Sequence, residues 1–158
     1  MTEDEIIRFV AGLPGVYVDT ASETTGAPEV AWGDSFFSYD PDDVAENRRF
    51  PFATIVTKNY GGFDEASDLD REGVFRLNVS AGRQRFEALV GYPPGEHDPR
   101  ETQCDYSVLD TVLPHPVYAG QAWVSILNPG EQTDALARVL VTEAHEQAAA
   151  RYRRRQPS

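Results

Sequence analysis

The chain has 158 residues, with 14 Lys plus Arg against 26 Asp plus Glu, a formal charge of −12, and 41% hydrophobic and 11% aromatic side chains. A single soluble domain over 1–158 is expected, because a chain of this length buries about two-thirds of its unfolded surface and leaves no room for a second sizeable core. No apolar run approaches the ~20 residues of a bilayer span, the opening Met1 to Glu5 is acidic where a secretory signal is basic, and the lone Cys104 excludes an internal disulfide or a thiolate zinc cluster, so a cytoplasmic location is expected.

Thr2 followed by Glu5 is a capping-box pattern, and Ile6, Phe9, Val10 and Leu13 recur at helical spacing, so the chain opens on a helix that Pro14 and Gly15 stop. Four β-rich segments follow at 15–19, 30–39, 50–57 and 74–79, joined by turn-forming stretches rich in Gly, Pro, Asn and Asp. Spacings this short favour antiparallel neighbours over parallel crossovers, which need a dozen or more residues. In the fourth segment Phe75, Leu77 and Val79 alternate with Arg76, Asn78 and Ser80, the pattern of a strand buried on one face. Ser80 is a plausible cap for a second helix over 81–90 that Gly91 ends. A helical turn is expected around 105–113, a fifth strand over 121–127, and a long helix from about 133 to 154, with the basic tail 151–158 fraying. The fold class is α+β: an antiparallel sheet of about five strands with helices on one face.

The order of these elements and several of the strings inside them resemble the MmcQ/YjbR-like proteins, small bacterial domains with a double-wing fold. The similarity rests on Leu13-Pro14-Gly15-Val16, Ala31 to Phe37, Phe75 to Val79, Pro114 to Tyr118 ahead of Trp123, and the long last helix. The strings 31–37, 50–58 and 114–129 also resemble an actinobacterial domain family without an assigned activity. Both resemblances imply a fold more than a function. DNA binding, which the double-wing resemblance would imply, conflicts with the charge: residues 1–150 carry 10 basic and 26 acidic side chains, a balance of −16, whereas phosphate contacts draw their affinity from clustered Lys and Arg. Only a face gathering Arg8, Arg48, Arg49, Arg83 and Arg85 would restore that reading. The basic run Arg151 to Arg155 reads first as a solvated helix end placed well for the helix dipole, and second as a phosphate or acidic-partner site.

Asp68 to Gly73 starts like a calcium loop but has Val79 where the bidentate Glu belongs, so it reads as an acidic connection. The three histidines, His97, His115 and His145, have no ligand-like spacing, and no metal or cofactor is expected. His115, held between Pro114 and Pro116, is expected to pack beside Trp123 or Tyr118, and His145 to flank the apolar seam and bond a neighbouring acid. Cys104 beside Asp105 lacks the positive neighbour of a reactive thiolate, and neither a nucleophile elbow nor a phosphate-cradling glycine loop occurs.

The remaining candidate is the polar face of the sheet. Asp34 and His115 are the candidates for chemistry, and Trp32, Lys58, Arg76, Asn78 and Trp123 for ligand contact. An ion pair from Asp34 to Arg76 or Lys58, bridging strands, is preferred over a pocket. Consecutive Phe36 and Phe37 face opposite sides of a strand, so something covers the second face: a helix, a loop, a second copy of the chain or a ligand. The leading functional reading is a binding module for a small molecule or a protein, without catalysis and without a membrane or nucleic-acid partner. The alternative is a small enzyme using Asp34, Arg76 and His115 as acid, anion clamp and base.

Overall fold

A computed structural model describes residues 1–43, 49–100 and 103–155. Helix α1, Glu3–Ala11, starts where Thr2 Oγ1 accepts the Glu5 N–H at 3.1 Å and buries Ile6 and Val10 on one face. Strands β1 (Val16–Thr20), β2 (Ser35–Tyr39), β3 (Ala53–Val56) and β4 (Arg76–Ser80) follow, then helix α2 (Arg83–Val90), strands β5 (Val112–Pro114) and β6 (Trp123–Leu127), and helix α3 (Asp134–Arg155). They form one open sheet of six strands in the order β1-β2-β3-β4-β6-β5, antiparallel throughout.

The register puts Phe37 opposite Ala53, Ile55 opposite Leu77, and Leu77 opposite Ile126, so these side chains share one face. Against them pack Ile6 and Val10 from α1, Phe86 from α2, and Leu140, Val141 and Ala144 from α3. Burying each of the larger members contributes about 1.5–3 kcal/mol. The other face carries Phe36, Thr54, Val56, Arg76, Asn78, Ser125 and Trp123. Among the described residues α1 and α2 stay off it and only the last turns of α3 reach its edge; part of it is roofed by the 59–75 connection, where Leu69 packs with Val56, Leu113 and Leu127. Among the described residues no helix is long and apolar enough to cross a membrane.

Several expected elements differ. The segment 30–39 is a strand only from Ser35, because Glu29–Ala31 forms a 3-10 turn and Gly33 sits at φ +91°, while backbone bonds tie Ala21 to Gly33 and Asp34 and close the loop. Trp32 and Asp34 therefore lie outside β2. Ser80 remains in β4, and Gly82, at φ +86°, caps α2 instead. In place of a helical turn around 105–113 the chain adds the sixth strand, β5, after Asp110 adopts φ +52° and donates its N–H to Leu127 O. His145 is buried and its Nε2 lies 2.6 Å from Pro14 O, so its partner is a backbone carbonyl and no acid; Tyr39 and Phe52 meet its ring edge-on. Residues 156–158 of the basic tail lie outside the described residues, whereas Arg151 and Arg153–Arg155 belong to α3.

Candidate functional site

Above the unroofed part of the open face lies a groove of about 1100 Å³. Its floor is the sheet: Phe36, Thr54, Val56, Arg76, Asn78, Ser80 and Trp123. Aromatic walls rise from Phe50, Phe63 and Tyr118, which are 81%, 59% and 38% exposed, and Phe63 meets Tyr118 edge-on at 6.3 Å.

The polar floor is a closed hydrogen-bond network. Arg76, 1% exposed, donates from Nη1 and Nη2 to the two Asp64 oxygens at 2.9 and 2.5 Å, from Nη1 to Ser67 Oγ at 2.8 Å, and from Nε to Asn78 Oδ1 at 2.7 Å. Asn78 Oδ1 also accepts from Ser125 Oγ, and Asn78 Nδ2 donates to Thr54 Oγ1, both at 2.9 Å. One network thus ties β3, β4 and β6 to the roofing loop, with the bidentate fork that arginine forms with a carboxylate at its centre. Burial alone would raise the Asp64 carboxyl; the Arg76 hydrogen bonds and charge overcome it and hold that group below the usual carboxylate range.

His115 is 2% exposed and its Nδ1 accepts the backbone N–H groups of Val117 and Tyr118, both at 3.0 Å. A nitrogen that accepts twice carries no proton, so the neutral ring holds its hydrogen on Nε2. Burial first, and then the nearby Arg76 charge, push the imidazole down to about 3. Among the described residues Nε2 has no protein hydrogen-bond partner and is not among the side-chain atoms sealed from solvent without one, so it meets the groove that His115 lines. The ring lies 4.9 Å from that of Tyr118 and 6.4 Å from that of Trp123.

Arg76, Asn78, His115 and Trp123 are thus brought together at the groove, and Asp34, Lys58 and Trp32 are not. Asp34 is fully buried and accepts from Thr57 N at 2.8 Å, Thr57 Oγ1 at 3.0 Å, and the Tyr60 hydroxyl; it pairs with neither Arg76 nor Lys58. Burial and that bond to Asp34 raise the Tyr60 phenol. Lys58 Nζ donates to Trp32 O, and Trp32 Nε1 to Ala27 O at 2.9 Å, so both serve the 21–34 loop. Sequence reasoning passed over Asp64 and Ser67 because they sit in a run that reads as a solvated acidic connection.

Elsewhere, His97 is held between the Tyr92 and Tyr106 hydroxyls at 2.7 and 3.1 Å. Burial and then Asp105 push the Cys104 thiol up, away from thiolate chemistry. Among the described residues no group of three or more His, Cys, Asp or Glu could hold a metal ion. Arg48 of the arginine face considered for DNA lies outside the described residues, Arg85 pairs with Glu143, and Arg49 is tied to Asp40 and Asp43.

A family model described as a family of unknown function (DUF6194) matches residues 1–157. No curated protein and no solved structure matches the chain.

Proposed function

We propose a binding function for this chain, which belongs to the DUF6194 family: the open sheet face takes up a small molecule with a flat apolar or aromatic body, and the domain does no chemistry on it. The observation that carries this reading is the groove itself, whose volume of about 1100 Å³ lies just above the roughly 300–1,000 Å³ of small-molecule sites, and whose aromatic walls surround a few fixed polar groups as such sites do.

The pattern of satisfied groups favours binding over catalysis. A base must accept a proton, and His115 offers the groove a hydrogen on Nε2 while its Nδ1 is occupied twice. Asp34, the acid of the enzyme reading, is sealed from the groove by Thr57 and Tyr60. The order of elements and the strings named above support placing the chain near the MmcQ/YjbR-like double-wing domains and among actinobacterial proteins, with DNA binding opposed by a charge of −12.

The test is a titration of the chain with phenylnaphthylamine, an uncharged dye that fluoresces when it leaves water, against wild type and Ser80→Trp. Ser80 is on the groove floor and half-buried, so an indole there fills the space without touching the core. Saturable binding to wild type that is lost in Ser80→Trp, with an unchanged far-UV spectrum, supports the reading. No binding to wild type, or equal binding to both, overturns it. Because Phe50 and Phe63 stand exposed at the rim, a wild-type dimer that Ser80→Trp dissociates, seen by sedimentation with no dye bound, would assign the face to a second copy of the chain.

A further inference from the structure

One end of the groove is built differently from the rest. The last two turns of α3 pass along it, and Ala148, Arg151, Tyr152 and Arg155, which recur at helical spacings of three and four, form the stripe that lines it. Arg153 and Arg154, on the other sides of the same turns, do not line it. All four arginines suit the negative end of the helix dipole; only two of them are also aimed into the groove.

The charged residues lining the groove are Asp40, Arg49, Asp64, Arg76, Arg151 and Arg155, four cations against two anions. Asp64 is taken by Arg76, and Asp40 accepts from Arg49 at 2.8 Å. Outside the lining, Asp43 also accepts from Arg49, and Asp42 from the Tyr152 hydroxyl at 2.7 Å. Arg151 and Arg155 are exposed and have no hydrogen-bond or ion-pair partner among the described residues. Among the lining residues cations outnumber anions by two, in a chain of net charge −12; the neighbouring Asp42 and Asp43 are engaged by Tyr152 and Arg49, which leaves Arg151 and Arg155 as cations open to an anion that enters the groove. From β2, beside this end, to β6, beside His115, the sheet crosses three strand spacings, about 14 Å. At that far end His115, 2% exposed, presents an Nε2 hydrogen without a protein acceptor among the described residues.

We infer that the ligand of this groove is an elongated organic anion, an apolar or aromatic body whose carboxylate or phosphate is held by Arg151 and Arg155 while a hydrogen-bond acceptor toward its other end meets His115 Nε2. The inference rests on the groove being a binding site and adds the chemical class of what enters it.

The experiment compares two dyes with the same aromatic units: anilinonaphthalene sulfonate, which is an anion, and phenylnaphthylamine, which is not. Wild type binds both, the anion more tightly. Arg151→Gln/Arg155→Gln weakens the anion about tenfold, as expected for the loss of two solvent-facing charge contacts, and leaves the neutral dye unchanged. The off-groove pair Arg153→Gln/Arg154→Gln removes the same charge and changes neither. Equal loss of the anion in both pairs, or no loss in the first, overturns the inference while the groove remains a binding site. Failure of both dyes on wild type defeats the groove reading itself. Competition then identifies the acid: naphthoate and naphthyl phosphate both displace the anionic dye, the tighter one marking the preferred group, whereas equal displacement by naphthyl methanol would refute an anionic ligand.

Discussion

Replacing Asp64 by Asn tests whether the Arg76 network holds the open face together. Arg76 is 1% exposed, and the fork to Asp64 supplies two of its four hydrogen bonds. In Asp64→Asn the guanidinium keeps Ser67 and Asn78 but loses its countercharge, and a buried charge left uncompensated costs about 3–5 kcal/mol. Since about 1 kcal/mol shifts the midpoint of a domain this size by roughly 2–4 °C, thermal unfolding should fall by roughly 6–20 °C. The double variant Asp64→Leu/Arg76→Met removes both charges, and a neutral, well-packed pair returns stability to within about 2 kcal/mol of wild type. Urea unfolding of wild type, Asp64→Leu, Arg76→Met and the double variant measures the coupling. A cost below about 1 kcal/mol for Asp64→Asn, the range of a solvent-exposed pair, or a double variant as unstable as the two single losses added, would refute the reasoning.

Three further outcomes follow from local geometry. Asp110 clamps the start of α3 by accepting from Gly130 N, Gln132 N, Thr133 N and Thr133 Oγ1; the Thr133 hydroxyl bond leads the effects that pull its carboxyl from 3.8 down to about 2. A lowered folded value stabilises above the unfolded one and ceases to as pH falls through the folded one, so the stability gap between wild type and Asp110→Asn should close between about pH 4 and about pH 2; a gap that stays constant contradicts the clamp. His115, held near 3 against an ordinary 6.5, should show in nitrogen-15 spectra an unprotonated Nδ1 that does not titrate between about pH 5 and about pH 8, and should lower stability as pH falls below about 6.5, where the unfolded chain takes up the proton; a midpoint near 6.5 in the folded protein refutes the lock. Gly15 sits at φ +72°, where an added Cβ would lie 2.6 Å from Tyr39 Cε2, whereas Gly26 at φ +75° has nothing within 4 Å. Gly15→Ala should therefore cost more than about 2 kcal/mol and Gly26→Ala about 1 kcal/mol by thermal unfolding, and equal costs would contradict the packing of Tyr39 over Gly15.

The sheet and its helices were legible in the sequence because each rests on a short-range pattern. Phe75, Leu77 and Val79 alternate with Arg76, Asn78 and Ser80, and β4 buries those two sets on opposite faces; Thr2 and Glu5 mark α1, and Leu140 and Ala144 mark the apolar side of α3. Strand β5 was not legible, since it is three residues long and forms because Asp110 turns back onto α3, a contact across 20 or more positions. For the site, alternation placed Arg76 and Asn78 on the polar face, and the prolines around His115 signalled a fixed ring. The partners were beyond reach: whether Arg76 meets Asp34 or Asp64 depends on how the 59–75 connection folds over the sheet, and no periodicity encodes that. Arg151 and Arg155 read as a solvated helix end because the groove beside them exists only once β2, β3 and α3 are assembled.

The most direct measurement of the central claim is a nitrogen-15 correlation spectrum of the full chain titrated with phenylnaphthylamine. A ligand site on the open sheet face predicts saturable shifts at Thr54, Ser80, the Trp123 indole and His115 Nε2, with Ile6, Leu140 and Ala144 on the helical side unmoved. Shifts confined to the helical side, or none at a dye concentration that saturates ordinary apolar sites, would contradict it.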